Sequence, residues 1–526
     1  MKVELLREPL LEFGNDFMCD DAKMGIGMGG FFSVSNKSHR SEIHYAIVGT
    51  QNNVQQFQDY IKQFENPIEA HFVNIEDETN QEQILDGEIV GSDEDSEDIL
   101  AVPQTLFDKE FTVEDDNQTF ESNKKMNPDF PGFNTQECFN AEFINDPLNN
   151  HYIKESNIKD ILKEDIVKFD KAVRYCDLII DGYRAILKKS INRPGICFIV
   201  IGSEVFKKIS TIKQQGYFFN LRRYLKAQLI SISNPIPTQI ILEDTLTGKK
   251  KSIQDLSMQA WNFVVANYYK NGGTPWALKI EDKDTCFIGI SFHKVLNSES
   301  HTMRASLAQA FNYEGKGLIF IGEQFEWDSD ETNTRAPHLT YDYAKSLVQR
   351  VIKQYSEYNR HKPARVVIHK TTDYWDSYLN RDYAEVEGLK DGIRAELGDE
   401  CEIDLVAIKE SKIRLLRDEG IYPVIRGSLL ELDKVTGVLY TTGYIPYFEG
   451  FPGVHIPNPI EVHIYEGEST LRKVCEEILA LTKMNFNNCN YYDRLPITVK
   501  FARKVGEIVQ YIEEGKIPPD KYYFYM

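Results

Sequence analysis

The sequence predicts an α/β protein in two units, and three observations carry that prediction. Between Asp165 and Gly273, helical and strand signals alternate, as they do where helices cross over a small parallel sheet. After Trp276 the order changes to three strands, a helix, a strand, a helix and a strand. At 526 residues the chain is too long for one ordinary domain, and a hydrophobic fraction of 42% with 28 Tyr and 30 Phe supplies material for more than one core.

In the first unit, Ile166, Phe169, Val173, Cys176, Ile180, Tyr183 and Leu187 recur three or four residues apart, which predicts a helix over Asp165–Lys189 with one buried face. Pro194 and Gly195 end it, and CFIVIG at Cys197–Gly202 reads as a short, wholly apolar strand. A helix is expected around Phe218–Ile230, then a turn and strand in NPIPTQIIL, then a helix ending at Lys270–Asn271–Gly272–Gly273. In the second unit the strands CFIGISFHK, MRASLAQAFN and GLIFIGE come in succession. A helix with apolar Tyr343, Leu347, Val351 and Tyr355 follows, then the strand RVVIH, a further helix and the strand IDLVAIK. That is the order of an RNase H-like core. Beyond it, YPVIRGSLLEL and GVLYTTGYIPYF predict a hairpin, and Ser469–Lys483 and Pro496–Glu514 predict helices. The division is placed at residues 1–275 and 276–526, with no internal repeat.

Charge is unevenly placed. The chain carries a formal −21. Between His71 and Phe120 sixteen acids face one base, Lys109, so this segment alone accounts for −15. It lies in an acidic stretch (residues 74–125) that reads as a solvated insertion. Between Ile201 and Pro275 ten Lys and Arg face four acids, a local +6. The local field, and not the sum, decides where a polyanion binds. No apolar run approaches the ~20 residues that span a bilayer, and MKVELLREPLLEFG lacks a signal-peptide core. The eight cysteines are scattered without a CxxC pair, which argues against a zinc site or disulfide framework and for a reducing cytoplasm.

Several residues could carry chemistry. Arg222 and Lys226 are four apart on one expected helix and so share a face. Gln239 opens a strand, and Lys270 ends a helix before a Gly-Gly turn. Two cations, an amide and a third cation converging on one point would suit a terminal phosphate. From spacing alone, the same residues also read as surface charges and a helix-terminal cation. GIGMGG at Gly25–Gly30 follows CDDAKM and not an apolar strand, so it does not read as a dinucleotide loop. His293 and His369 lie on or beside strands with no acid–nucleophile partner placed by sequence.

LRRYLKAQL, IPTQ and KNGGTPW together resemble the guide 5′-end pocket of the MID domain of Argonaute proteins, and GGTPW leading into CFIGISF resembles the passage into their PIWI domain. EPLLEFG, KMGIGMGG, FPGF, LALTKMNFNN, LPITVKFARKVGEI and KYYFYM resemble the short prokaryotic members in particular. The resemblance implies a Rossmann-like MID domain followed by an RNase H-like PIWI domain. It implies that Arg222 packs on the first guide base while Lys226, Gln239 and Lys270 hold the guide 5′-phosphate. A Mg²⁺ ion there would be shared by Gln239, the phosphate and the C-terminal carboxylate of Met526, a sensible set for a hard cation. The PIWI catalytic aspartates correspond to Ser291 and Thr371, and a last carboxylate to Asp493. Two hydroxyls and one carboxylate do not hold two metal ions, so the resemblance implies a site without nuclease activity; Asp373, Asp376, Glu385 and Glu387 lie near in sequence. Arg494, Lys500, Arg503 and Lys504 on the last helix are candidate contacts to a nucleic-acid backbone. The implied function is a cytoplasmic sensor in which a small guide RNA reads single-stranded target DNA. Its output would come from a partner bearing an APAZ domain with a NAD-consuming TIR or Sir2 module, as a defence against plasmids or phage. The alternatives are an active guided endonuclease and a stand-alone nucleic-acid-binding protein.

Overall fold

The structure is a computed structural model. It describes the chain except residues 36–37, 72–123, 190–192, 215–216, 249–253, 295–301, 323, 327–336, 377–382, 419, 421, 454–455 and 514. Nearly all of the acidic insertion therefore lies outside the described residues.

The chain opens with a strand, β1 (Lys2–Leu5), that belongs to the second unit. In the first unit β2 (Glu42–Gly49), β3 (Glu142–Tyr152), β4 (Ile196–Ile201) and β5 (Thr238–Leu242) are all parallel, in the order β3–β2–β4–β5. Every residue of β4 is buried, as a central parallel strand covered on both faces must be. Around the sheet lie α1 (Gln51–Gln63), α2 (Lys168–Lys189), α3 (Leu221–Ile230) and α4 (Leu256–Lys270). Aromatic rings fill the core: Phe198 stacks on Phe263 at 5.6 Å, and Tyr45 meets Phe198 edge-on at 5.4 Å.

The helix expected from Phe218 begins three residues later. Tyr217–Asn220 pairs with Thr211–Gln214 as a small hairpin, in keeping with the strand preference of consecutive aromatics. Asn220 then caps α3, its side chain accepting from Arg223 N at 3.1 Å. At the other end of the unit, α4 stops at Lys270 because Gly272 takes a left-handed φ of +85°.

The second unit is a ten-stranded sheet. Its strands after β1 are β6 (Thr285–Lys294), β7 (Thr302–Phe311), β8 (Gly317–Phe320), β9 (Gln324–Glu326), β10 (Arg365–Lys370), β11 (Glu402–Glu410), β12 (Ser428–Glu431), β13 (Thr436–Leu439) and β14 (Ile460–Glu466). The order is β1–β12–β13–β14–β11–β10–β6–β7–β8, with β9 also on β7. Strands β6, β10 and β11 run parallel, and all other pairs are antiparallel. This is the strand arrangement of an RNase H-like core extended on one side by the expected hairpin, β12–β13.

Helices α5 (Tyr341–Asn359) and α6 (Glu385–Leu397) cover one face, packing Leu347, Val351, Leu389 and Ile393 on Ile288, Ile368 and Leu405. Helices α7 (Leu471–Leu481) and α8 (Ile497–Val509) cover the other, and this second core runs without a break into that of the first unit. The N-terminal segment, expected wholly within the first unit, departs from that reading. β1 pairs with β12, and Leu11–Glu12 bridges Met18–Cys19 and Ala277–Leu278 across the expected boundary at 275/276. Three of the four glycines of GIGMGG lie in a helix, Ala22–Gly29, and Gly30 caps its end with a φ of +76°. A methyl group on Gly25 would lie 2.1 Å from the Phe13 ring, so close packing accounts for that glycine. Among the described residues no helix is long and apolar enough to cross a membrane.

Candidate functional site

The expected phosphate pocket assembles where α3, β5 and the end of α4 meet. Lys226 is 5% exposed and Lys270 is 2% exposed. Lys226 Nζ donates to Thr238 O at 2.7 Å and to Thr238 Oγ1 at 3.1 Å. Lys270 Nζ donates to Oε1 of Gln239, the next residue of β5. The strand thus draws two ammonium groups onto adjacent positions. Their partners are neutral oxygens, which satisfy hydrogen bonds but neutralise nothing. Burial pushes Lys270 down to about 7. Burial, and then repulsion from Lys270, pushes Lys226 well below the ordinary lysine range. Arg222 lies one turn before Lys226, its guanidinium 5.6 Å from the centre of the Phe206 ring.

The chain's end comes to the same place. The turn Tyr522–Phe524 packs on α4. Tyr269, beside Lys270, has its ring 6.1 Å from that of Tyr522 and 6.3 Å from that of Tyr523. Met526 is half-buried against the core. The fit for magnesium is partial. The Gln239 oxygen accepts from an ammonium, and among the described residues no group of three His, Cys, Asp or Glu could hold a metal. A hard cation here would depend on oxygens of the bound phosphate and of the Met526 carboxylate.

At the second expected site, β6 and β10 are in parallel register with Ile290 opposite Lys370. Ser291 on β6 and Thr371, the first residue past β10, each follow that last pair by one position, on the alternation that faces the side of the sheet where α8 packs. The Asp493 carboxylate lies 2.9 Å from Lys500 Nζ, with both side chains almost fully buried. Lys500 is thus an internal counter-ion and not the exposed backbone contact expected. The four candidates do not all share the last helix, because Arg494 precedes α8, which begins at Ile497. Arg494 lies 3.6 Å from Glu410, and Lys504 lies over the Phe501 ring at 5.6 Å; the Arg503 side chain lies outside the described residues. The reason is packing: α8 is pressed onto β6, β7 and α3 and has little free surface.

None of the nearby carboxylates forms a cluster. Glu385 is fully buried and accepts from Lys370 Nζ at 2.5 Å, Trp375 N at 3.0 Å and Leu339 N at 3.1 Å. Asp373 pairs with Lys409, and Glu387 lies 3.8 Å from Lys390. Asp376 buries an oxygen with no hydrogen-bond partner among the described residues. His369 contacts Thr498 Oγ1 through Nδ1 at 2.8 Å, and burial pushes it down to about 3, so it is neutral. The His293 side chain lies outside the described residues.

Two arrangements escaped sequence reasoning. One is the seam between α3 and α8, where Arg223 and Glu507 pair at 2.6 Å, Asn220 N donates to Tyr511 Oη at 3.1 Å and Gln228 Nε2 donates to Tyr511 O at 3.1 Å. The helix of the phosphate pocket is thereby bolted to the helix over Ser291 and Thr371. The other is a buried knot of Glu8 with Arg426 at 3.1 Å and Lys483 at 2.7 Å. EPLLEFG contains Glu8, YPVIRGSLLEL contains Arg426 and LALTKMN contains Lys483, but the separation of Glu8 from its partners by more than 400 residues hid the contact.

No family model matches the chain. It is 25% identical over 326 residues to the argonaute of Aquifex aeolicus, covering 61% of this chain and 40% of that one. It is 21% identical over 306 residues to the argonaute of Cereibacter sphaeroides, covering 54% of this chain and 37% of that one. Among solved structures it is similar to Clostridium butyricum Argonaute bound to a guide DNA and a 19-mer target DNA, with TM-score 0.57, 17% identity, and coverage of 99% of this chain and 54% of that one. It is also similar to Marinitoga piezophila Argonaute in complex with a 5′-OH guide RNA, with TM-score 0.54, 12% identity, and coverage of 97% and 59%. The fold is that of the Argonaute MID and PIWI domains. The chain spans about two fifths of the length of the curated relatives it matches and little more than half of the solved ones.

Proposed function

We propose that this chain is an Argonaute-type guide-binding protein. It anchors a small guide RNA by a 5′-phosphate and reads complementary single-stranded DNA through base pairing, without cutting it. The observation that carries this reading is the pair of buried lysine side chains, Lys226 and Lys270, which among the described residues are met by neutral oxygens. A 5′-hydroxyl guide, such as the one bound by the Marinitoga protein, gives two buried cations no counter-charge; a phosphate dianion does. Arg222 stacks on the first base, and Gln239 fixes Lys270. Were a Mg²⁺ ion to bind here, Gln239 and the Met526 carboxylate would be the residues to hold it, and it would supply further positive charge toward the phosphate.

Support for a non-cutting PIWI unit comes from the carboxylate count. Two-metal hydrolysis holds ions ~3.5–4 Å apart with several carboxylates. Ser291 and Thr371 offer hydroxyls, and Asp493 is already neutralised by Lys500. A guided endonuclease is the competing reading. Incubating guide-loaded protein with labelled complementary DNA and Mg²⁺ or Mn²⁺ decides between them, with site-specific cleavage overturning the proposal.

A sensor that does not cut needs an output. On the resemblance of the sequence motifs alone, that output is assigned to a partner with an APAZ domain and a TIR or Sir2 module that depletes NAD when target is found, in defence of a prokaryotic cell. Purifying the protein with its native partner and measuring NAD loss on addition of guide and target tests this. The anchoring itself is tested by binding 5′-phosphorylated and 5′-hydroxyl RNA of one sequence. Changing Lys226 and Lys270 together to Ala should weaken the phosphorylated form at least tenfold more than the other; equal losses would refute the pocket.

A further inference from the structure

Helix α3 carries Arg222 and Lys226, and the first amides of that helix are satisfied from three different directions. Asn220 caps it with a side chain that accepts from Arg223 N, and Leu221 N donates to Ser210 O at 2.9 Å. The N–H of Asn220 itself is the donor that a capping box satisfies with a Glu or Gln reaching back from the third helical position. In α3 that position is Arg223. Its guanidinium only donates, and it pairs with Glu507 at 2.6 Å. The acceptor comes instead from the second unit. Tyr511, the second residue past α8, accepts from Asn220 N through its Oη at 3.1 Å.

Tyr511 also grips α3 along its length. Its backbone oxygen accepts from Gln228 Nε2 at 3.1 Å, and its ring meets those of Phe219 and Tyr224 edge-on, each at 6.0 Å. Asn220, Tyr224 and Gln228 are four residues apart and line one face of α3. Arg222 and Lys226 stand two residues out of step, about half a turn away. The grip is therefore on the side away from the two cations, and Tyr511 acts on them through the helix. Arg222 lies in the first turn, the turn that frays when a cap is lost. Resting on the guide-anchoring reading above, we infer that Tyr511 is a positioning residue for Arg222. Its hydroxyl closes the capping box of α3 from the second unit and so fixes the guanidinium that stacks on the first guide base. The first unit supplies the pocket's cations, and the second supplies the acceptor that keeps one of them in place.

Three RNAs of one sequence, bound to the full chain, test this. One carries a 5′-hydroxyl, one a 5′-phosphate, and one a 5′-phosphate but no base on its first nucleotide. Loss of the first base should weaken binding to the wild type by about fivefold or more, the lower end of what one stacked base contributes. Tyr511→Phe keeps the ring and removes the acceptor. It should shrink that penalty about threefold or more, the effect of one lost cap, while the preference for phosphate over hydroxyl stays within about twofold. Adding Arg223→Gln to Tyr511→Phe supplies the third-position acceptor locally and should restore most of the penalty. An unchanged penalty in Tyr511→Phe, or a loss that Arg223→Gln does not repair, overturns the inference and leaves the phosphate pocket standing. A wild type indifferent to the first base overturns the inference together with the role of Arg222. Equal wild-type affinities for the phosphorylated and hydroxyl RNAs overturn the pocket and the inference alike. Should Tyr511→Phe not fold, residue-resolved hydrogen exchange on the wild type decides. The Asn220 amide should exchange about tenfold or more slower than an open loop amide, and exchange at the loop rate overturns the inference.

Discussion

Lys270 shows at the scale of one residue how a binding site costs stability. In the empty protein its folded-state pKa, about 7, lies below the 10.5 of an exposed lysine. Between those values the unfolded chain binds more protons than the folded one. The stability of the guide-free protein should therefore rise as pH climbs from about 7 towards 10, and the penalty should be fully present below 7. Lys270→Met should raise the thermal midpoint of the empty protein at pH 6–7, a gain on the order of 1–3 kcal/mol, while abolishing the preference for phosphorylated guide. Thermal melts at pH 6 and pH 9 check both statements; a variant less stable at pH 6 contradicts them. Gly289 makes the opposite case, of a residue kept for space. A methyl group there would lie 1.8 Å from the carbonyl oxygen of Thr498, so Gly289→Ala should cost at least ~2 kcal/mol by urea denaturation as α8 is lifted from β6.

At the scale of elements, legibility in the sequence followed the length and periodicity of the signal. α2 was readable from seven apolar residues at helical spacing, and β4 from an unbroken apolar run. Lys226, Gln239 and Lys270, three of the residues expected at a phosphate pocket, do come together, although their spacing alone also read as surface charges and a helix-terminal cation. The side of α8 that faces inward was not readable. A helix packed on a sheet below and on another helix beside it carries apolar residues nearly all round, so the spacing of Lys500 does not say that it points inward. Its pairing with Asp493 gives a sharp expectation. Lys500→Met leaves a buried carboxylate alone and should cost about 3–5 kcal/mol, whereas Lys500→Met with Asp493→Leu should recover most of that loss. A denaturation cycle over the four proteins reads the coupling; additive losses would place the two groups apart. The α3–α8 seam was invisible for a different reason: Arg223 and Glu507 are 284 positions apart, and nothing local marks them as partners.

At the scale of the whole molecule, the net charge of −21 and the cationic pocket give opposite expectations for a polyanion. If the local field governs, guide affinity should fall with salt, by on the order of 20-fold on doubling the salt for roughly six phosphate contacts. A flat titration would mean that the acidic surface describes the protein better than its basic middle. The global arrangement also departs from the linear reading, because β1 joins the sheet of the second unit from the far side of the first. KVEL is too short and too exposed to announce such a partner.

That placement sets an order of assembly. β1 precedes its partner β12 by more than 420 residues, with the whole first unit and most of the second between them. Its seat does not exist until the hairpin β12–β13 has formed, so closing this loop comes late in folding. Three of its four residues are exposed, and little apolar burial holds it once seated. A strand so far from its partner and so little buried is seated late, and its amides should be among the first of the sheet to exchange with solvent.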